Sequence, residues 1–199
     1  MKLKKIYELF LNSSGVSIDT RTIKQNNIYF AIKGPNFDGN KFANEAINNG
    51  AVFSVVDDEK FIEIDSKKII LVKDCLQTLS DLANFHRMKM DSKIIAITGS
   101  NGKTTTKELI NSVLSQKYNT IYTTGNLNNH IGVPLTLLGI TPQTEMAIIE
   151  MGANHVGEIN ELCQMAQPTH GLITNIGYAH TASFGGFDGV VRGKSELFE

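Results

Sequence analysis

The chain has 199 residues, of which 41% are hydrophobic and 20% are charged, and its formal net charge is −1 with a pI of about 6.5. This length suits one large domain or two modest ones, and the near-neutral charge gives no reason to expect nucleic-acid or membrane-surface binding. The amino terminus lacks a signal-peptide core, no run of about 18 apolar residues predicts a membrane span, and two widely spaced cysteines favour the cytoplasm.

The first half of the chain alternates helical and strand patterns. Apolar residues at helical spacing predict a helix over residues 2–12. The runs that predict strands are "GVSID", "NIYFAIK", "AVFSVVD" and "KIILVKD". Between them, "KGPNFDGN" is a loop by composition, one helix ends at Gly50, and another begins after Asp74. We therefore expect a small α/β domain over residues 1–90, with the polar residues 89–93 at its boundary.

The second half, residues 91–199, repeats a strand-then-helix pattern. Its strand runs are "KIIAITG", "NTIYTT", "EMAIIEMG" and "HGLITNIG", and the intervening segments are helical, with a last helix from about Gly189. Nearly continuous apolar strands that alternate with helices predict a mainly parallel sheet covered on both faces. Ligands of such sheets bind at the carboxyl ends of the strands, so the site is expected there.

The first of these strand ends carries "TGSNGKTTT". The general phosphate loop, G-x-x-x-x-G-K-[ST], would place a glycine where this chain has Ile97, so the loop is two residues shorter. Gly99 and Gly102 permit a tight turn before a helix whose amino terminus favours a polyanion. Lys103 can reach terminal phosphates, and the Thr104 hydroxyl can bind Mg²⁺. A plain glycine turn is the alternative, but strand, loop and helix together favour phosphate binding.

Two further strand ends carry candidate residues. Glu150 closes "MAIIEMG", where phosphate-loop enzymes place a metal-binding acid, although a solvated strand end would give the same pattern. His180, in "NIGYAH", is a candidate metal ligand or phosphate contact, or else a structural histidine. The position of Glu150 favours a functional role for it, and the two strand ends that already carry nucleotide chemistry favour a functional role for His180.

Other polar residues are ambiguous on their own. The loop "TTGNLNNHIGVP" fits sugar or phosphate binding and turn formation equally well, and its candidates are Asn126, Asn128 and Asn129. Arg192 and Lys194, near the carboxyl end, would by default lie on a solvated helix face.

Taken together, these motifs resemble the Mur ligases, which add amino acids to the UDP-linked peptidoglycan precursor. The resemblance rests on "SIDTRTI", "FAIKGPNFDGNKFANEAINNGA", "ITGSNGKTTTKE", "GNLNNHIGVPLTLL", "IIEMGANHVGEI", "ITNIGYAHTASFGG" and "GKSELF". The short phosphate loop is typical of that family. Within it, the pattern is most similar to the ligases that join D-alanyl-D-alanine to the UDP-N-acetylmuramoyl tripeptide.

The resemblance implies a role for each domain. The first would hold the uridine-nucleotide end of the substrate, with Thr20, Arg21 and the "GPNFDG" loop near it. The second would be a phosphate-loop ATPase. The residues that would cradle the ATP phosphates are Gly99, Ser100, Asn101, Gly102, Lys103, Thr104 and Thr105.

The resemblance also implies two metal positions. Thr104 and Glu150 would bind one Mg²⁺, and His180 would help to hold a second. Lys194 matches the lysine that these ligases carry as a carbamate, which would turn it into an oxygen ligand for Mg²⁺. That modification requires the neutral amine and therefore a lowered lysine pKa.

The implied reaction is an ATP-dependent ligation. The substrate carboxylate attacks the γ-phosphate of ATP, and the incoming amine then displaces phosphate from the acyl phosphate, while Mg²⁺, Lys103 and helix dipoles offset the crowded anions. Further substrate contacts are expected from Asn126, Asn128, Asn129 and Arg192. We expect a monomer whose ligands are ATP, Mg²⁺, the UDP-linked tripeptide and D-alanyl-D-alanine.

Mur ligases have a third domain, and this chain stops at Glu199, part-way through the central one. We therefore expect the 199-residue chain to lack the D-alanyl-D-alanine site and part of the ATP pocket, and to be inactive alone. Three alternatives stay open: a neighbouring amide ligase, such as a folylpolyglutamate synthase, a non-catalytic module that binds the UDP precursor, and a phosphate-loop kinase, which would leave the first domain unexplained.

Overall fold

The structure is a computed structural model that describes residues 2–61 and 67–199. The chain divides into two compact units, one that ends at Leu82 and one from Ala83 to Glu199. The helix Cys75–Arg87 spans this division, and the domain boundary predicted at residues 89–93 stays a prediction. Among the described residues, no helix is long and apolar enough to cross a bilayer.

The first unit is built on a parallel four-stranded sheet in the order β1-β2-β5-β6, and a two-stranded hairpin pairs β3 with β4. Its elements are α1 (Lys2–Leu11), β1 (Val16–Ser17), β2 (Ile28–Phe30), β3 (Lys33–Gly34), β4 (Phe37–Asp38), α2 (Ala43–Asn48), β5 (Phe53–Val56), β6 (Ile69–Leu71) and the start of α3 (Cys75–Arg87). The four predicted strands and three predicted helices are confirmed. Ile6, Tyr7 and Phe10 form the buried face of α1.

The segment "KGPNFDGN" is not the plain loop that its composition predicted. It contains the short antiparallel hairpin, in which Lys33 pairs with Asp38 and Gly34 with Phe37, followed by a 3-10 turn over Gly39–Phe42. Turn-forming residues dominate this segment because they form both the hairpin turn and the 3-10 turn. The strands between them are only two residues long, which is too short to show the alternating pattern of a strand.

The second unit is built on a parallel four-stranded sheet in the order β10-β7-β9-β8. Its elements are β7 (Lys93–Thr98), α4 (Lys103–Leu114), β8 (Thr120–Tyr122), α5 (Gly132–Leu137), β9 (Met146–Glu150), α6 (Glu158–Ala166), β10 (His170–Ile173), α7 (Thr181–Phe184) and α8 (Phe187–Ser195). The central strands β7 and β9 are buried, which explains their unbroken apolar runs. The predicted parallel α/β fold is therefore confirmed.

Strand register places the predicted site residues at one edge of this sheet. Glu150, the last residue of β9, pairs with Ile97, and Ile173 of β10 pairs with Thr98. The segments that follow β7, β9 and β10 therefore leave the sheet side by side. The last α-helix starts at Phe187, two residues before the predicted start near Gly189, with Gly186, at φ +110°, as its N-cap.

Candidate active site

The phosphate-loop motif forms a tight turn between β7 and α4. Gly99 and Gly102 both have positive φ, at +144° and +77°. A Cβ at Gly99 would overlap the Oγ1 of Thr174, so the loop has no room for a side chain there. The fully described α4 has no acidic residue in its first turn, so its unpaired N–H groups and dipole are left to attract an anion.

The loop is fastened to the segment that follows β10. Ser100 N–H donates to Asn175 O at 3.0 Å, and Asn101 N–H donates to Asn175 Oδ1 at 3.1 Å. Thr174 Oγ1 donates to Asn101 O at 2.6 Å, and Gly177 N–H donates to Ser100 Oγ at 2.9 Å. The amides of Ser100 and Asn101 are thus engaged within the fold, and the donors left for an anion are the N–H groups at the start of α4.

Lys103 reaches back across the loop. Its Nζ donates to Gly99 O at 2.7 Å and to Ser100 O at 3.3 Å. The side chain is half-buried, and this burial lowers the pKa of the lysine, while the charge of Glu150 opposes the shift. The ammonium group therefore lies over the turn that would receive the phosphates.

Glu150 is buried, which excludes the alternative of a solvated strand end. Only 1% of the Glu150 surface is exposed. Its backbone N–H donates to Thr123 Oγ1 at 2.9 Å, and its Oε1 accepts a hydrogen bond from Asn128 Nδ2 at 2.8 Å. Its Oε2 has no hydrogen-bond partner among the described residues and lies 3.8 Å from Lys107 Nζ. One carboxylate oxygen is therefore fixed, and the other is left without a donor.

Two residues of the asparagine-rich loop make structural hydrogen bonds within the fold. Asn128 orients Glu150, and its backbone O accepts a hydrogen bond from Gly152 N–H at 2.7 Å. Asn129 Oδ1 accepts from Ile131 N–H and Gly132 N–H at 3.0 and 2.9 Å, so it caps the start of α5. Asn126 is exposed on the same loop.

Two adjoining recesses of the second unit collect the predicted residues. A cavity of about 410 Å³ is lined by residues 100–105, Asn128 and Glu150. A cleft of about 360 Å³ is lined by Gly99, Asn129, His180, Lys194 and others. Both recesses share Ser100, Lys103 and Asn128. The structure thus brings Lys103, Thr104 and Glu150 to one recess and His180 and Lys194 to its neighbour.

Lys194 is buried in α8 rather than solvated. Only 3% of the Lys194 surface is exposed. Its Nζ donates to Ala153 O at 3.3 Å and lies 5.3 Å from the centroid of the Phe184 ring. Burial, and secondly the charge of Lys103, lower the pKa of Lys194 to about 8. Roughly a tenth of the amine is therefore neutral at pH 7, far more than an unshifted lysine would provide, and the neutral amine is the species that carbamylation requires.

The remaining predicted residues lie apart from these recesses or in the first unit. Arg192 is exposed on α8 and does not line either recess among the described residues. Thr20 and Arg21 form a 3-10 turn capped by Asp19, whose carboxylate accepts hydrogen bonds from the Arg21 guanidinium at 2.6 to 3.2 Å. These hydrogen bonds hold the pKa of Asp19 at about 2.

Among residues 2–61 and 67–199, no group of three or more His, Cys, Asp or Glu side chains is arranged to hold a metal ion. A divalent cation near Glu150 would therefore need oxygen ligands from Thr104 and from a bound phosphate as well. At the neighbouring cleft it would need His180 and an oxygen-bearing form of Lys194.

Family models match both parts of the chain. The model for the Mur ligase middle domain matches residues 97–199, and the model for the Mur ligase family, catalytic domain, matches residues 12–87. The chain belongs to the Mur ligase family. The sequence-based family assignment is therefore confirmed.

Individual Mur ligases are similar over most of this chain. The UDP-N-acetylmuramoyl-tripeptide–D-alanyl-D-alanine ligase of Escherichia coli (strain K12) is 42% identical over 183 residues, which cover 92% of this chain and 40% of the relative. A crystal structure of MurF from Acinetobacter baumannii has a TM-score of 0.83 and 38% identity, covering 92% of this chain and 40% of that one. MurF from Thermotoga maritima, solved in complex with ADP, has a TM-score of 0.84 and 31% identity, covering 96% and 43%. The chain spans about 40% of the length of the curated relatives that it matches.

Several residues of this candidate site were not assigned a role from the sequence. Lys107 is completely buried beside Glu150, Thr123 holds the Glu150 backbone, and Asn175 anchors the loop. Glu158 lines the cleft and accepts a 2.7 Å hydrogen bond from Asn154 N–H. Only Lys107 had a usable signal, because it follows Lys103 by four residues and therefore lies on the same face of α4.

Proposed function

We propose that this chain belongs to an ATP-dependent ligase that joins D-alanyl-D-alanine to the UDP-N-acetylmuramoyl tripeptide through an acyl phosphate. The observation that carries the proposal is the convergence of the phosphate loop, Glu150, His180 and Lys194 on two adjoining recesses. A pure binding module has no need of a buried acid and a buried lysine at such a site, because both are expensive to desolvate. The names of the similar proteins supply the substrates.

The phosphate loop would bind the ATP phosphates through backbone and side-chain donors. The N–H groups at the start of α4 and the ammonium group of Lys103 supply positive potential on the side of the loop that lines the larger cavity. The Lys103 ammonium can exchange its contacts with Gly99 O and Ser100 O for phosphate oxygens. These donors would hold the polyphosphate for transfer of its terminal phosphoryl group to the substrate carboxylate.

The donor set fits Mg²⁺. Glu150 Oε2 is buried without a hydrogen-bond donor among the described residues, and it lines the same cavity as Thr104, so a hard cation would satisfy it. Thr104 and Glu150 would hold one ion, and His180 with Lys194 would hold a second. When bound, Mg²⁺ neutralises charge on the transferring phosphoryl group.

Lys194 would take part as a carbamate. Its neutral amine attacks carbon dioxide, forms an N–C bond and releases one proton, which leaves an anionic group with two oxygens. The lowered pKa of about 8, caused mainly by burial, favours the neutral amine that this step needs. Asn154 and Glu158 line the cleft beside Lys194 and complete its polar wall.

In the first unit, Thr20, Arg21 and the "GPNFDG" hairpin would contact the uridine-nucleotide end of the substrate. The hairpin presents the half-exposed ring of Phe37, which stacks on Phe42 at a centroid distance of 5.2 Å. Asn126, Asn129 and Arg192 remain candidates for other substrate contacts. A monomer in the cytoplasm, with Cys75 and Cys163 as free thiols, is part of the same proposal.

The substrate assignment is tested on the product of the complete reading frame by measuring phosphate release. ATP, the UDP-linked tripeptide and each candidate amine are combined in turn. We expect release with D-alanyl-D-alanine and none with single amino acids or with glutamate on a folate acceptor. Release with a single amino acid but not with the dipeptide would contradict the assignment, and a protein that neither binds nor hydrolyses ATP would favour a non-catalytic module.

A further inference from the structure

Lys107 is a buried cation beside the candidate metal-binding acid. Lys107 is 0% exposed to solvent, and such complete burial is rare for lysine unless its charge is paired. Its Nζ lies 3.8 Å from Glu150 Oε2 and 3.2 Å from Glu108 Oε1. It also donates to Gly125 O at 3.4 Å and lies 5.7 Å from the centroid of the Tyr122 ring.

Glu150, not Glu108, is the partner that matters for this charge. The Glu108 side chain is 52% exposed, so water screens its attraction for Lys107, whereas the Glu150 side chain is 2% exposed. Charges in the drier environment interact more strongly, and each would be costly to bury without the other. Lys107 and Glu150 therefore form the buried pair.

The geometry leaves Glu150 oriented and still able to accept a ligand. Asn128 occupies Oε1, whereas the contact from Lys107 to Oε2 is an ion pair that is longer than a hydrogen bond. Lys107 also ties α4 to the loop that carries Asn128, through Gly125 O. The pair thus compensates the charge of the carboxylate without using the directional acceptor capacity of Oε2.

We propose that Lys107 is a positioning residue that acts as the internal counter-cation of Glu150 and prevents a divalent cation from binding there alone. Lys103 lines the same cavity as Glu150, and the exposed Glu108 is screened by water, so the two lysines outweigh the one buried carboxylate and repel a lone divalent ion. Nucleotide phosphates reverse the sign of this potential. The metal therefore enters together with the nucleotide. This inference rests on the proposed function, since it takes Glu150 to be a metal ligand.

The first test measures Mn²⁺ binding to the 199-residue chain by electron paramagnetic resonance, with and without ADP. Without ADP, we expect Lys107→Met to bind Mn²⁺ roughly tenfold or more tightly than the unaltered chain, because one repelling charge is removed. With ADP, the difference in Mn²⁺ affinity between Lys107→Met and the unaltered chain should shrink. Lys107→Arg, which keeps the charge, should bind Mn²⁺ as poorly as the unaltered chain. The matched control is Lys117→Met, an exposed lysine 5.3 Å from the centroid of the Tyr118 ring, and it should change nothing.

The second test asks whether Lys107 and Glu150 depend on each other, by thermal unfolding without metal or nucleotide. Lys107→Met should lower Tm by roughly 10 °C, because it leaves a buried carboxylate unpaired, and Lys107→Met/Glu150→Gln should recover most of that loss. If Lys107→Met does not fold, recovery of folded protein in the double variant supports the pairing. Absence of recovery overturns it.

The outcomes also separate this inference from the proposed function. If neither the unaltered chain nor the product of the complete reading frame binds Mn²⁺–ADP, the proposed function fails. If it binds Mn²⁺–ADP but Lys107→Met gains no affinity for Mn²⁺ alone, only the role of Lys107 is overturned.

Discussion

Asn128 Nδ2 donates a 2.8 Å hydrogen bond to Glu150 Oε1, so an exposed loop and a buried strand end share one polar contact. Gly152 N–H in turn donates to Asn128 O at 2.7 Å, which fixes the asparagine backbone to the segment that follows Glu150. The asparagine-rich loop therefore controls the direction of the candidate metal-binding carboxylate, in addition to any contact that it makes with a ligand.

Replacing Asn128 tests this relationship. Asn128→Ala removes a hydrogen bond to a charged group, and we expect the affinity of the chain for ADP with Mg²⁺ to fall roughly tenfold. Isothermal titration calorimetry measures the change. Asn160→Ala, an exposed asparagine on α6, is the control. Equal affinities for Asn128→Ala and the unaltered chain would show that Glu150 does not need this orientation.

Substitutions at Gly99 and Gly102 test how tightly the phosphate loop is packed, because the two glycines lie in the same loop. Gly99→Ala would place a Cβ on Thr174 Oγ1 in a backbone with φ +144°, so we expect the free energy of unfolding to fall by at least about 2 kcal/mol. A Cβ at Gly102 meets no described atom within 4 Å, and its φ of +77° is one that asparagine tolerates, so Gly102→Asn should lower the free energy of unfolding by under about 1 kcal/mol. Urea unfolding measures both. Similar losses would mean that the close approach to Thr174 does not constrain the loop.

The lowered pKa of Lys194 predicts how the free energy of unfolding depends on pH. Burial, with help from Lys103, lowers the folded pKa of Lys194 from 10.5 to about 8, so between these values the unfolded chain binds more protons than the folded one. The free energy of unfolding contributed by this residue should therefore rise between about pH 8 and pH 10.5, by about 1–3 kcal/mol, and be constant below that window.

Urea unfolding at pH 7.5 and pH 10 checks this, with Lys194→Met as the reference. The free energy of unfolding of the unaltered chain, measured relative to that of Lys194→Met, should increase as the pH rises. A difference that is independent of pH would contradict the buried, shifted lysine. Both measurements use buffers without bicarbonate, so that the unmodified amine is observed.

The sequence predicted those features that depend on local pattern. The four strands of the second unit, the turn before α4 and the position of Glu150 at a strand end all follow from apolar runs and from glycine and lysine spacing. Parallel topology then places the carboxyl ends of the strands at one edge of the sheet, which is why strand order and spacing predict that Lys103, Glu150 and His180 lie near one another.

What the sequence could not show depends on contacts between distant segments. A lysine in a polar helical stretch predicts a solvated residue, so the burial of Lys107 and Lys194 follows only from how α4 and α8 pack. Asparagines in a loop fit both turns and ligands, and the structure gives Asn128 and Asn129 different tasks. The anchoring of the phosphate loop by Asn175 joins residues 74 positions apart, which no local pattern reveals.

Calorimetric titration of ADP into the 199-residue chain, with and without Mg²⁺, is the most direct test that the shortened loop is a working phosphate site. The account predicts binding that strengthens with Mg²⁺, weakens roughly tenfold or more in Lys103→Met, and is unchanged in Lys93→Met, an exposed lysine at the opposite end of β7. Absence of binding to a folded chain, or equal affinity in Lys103→Met, would contradict it.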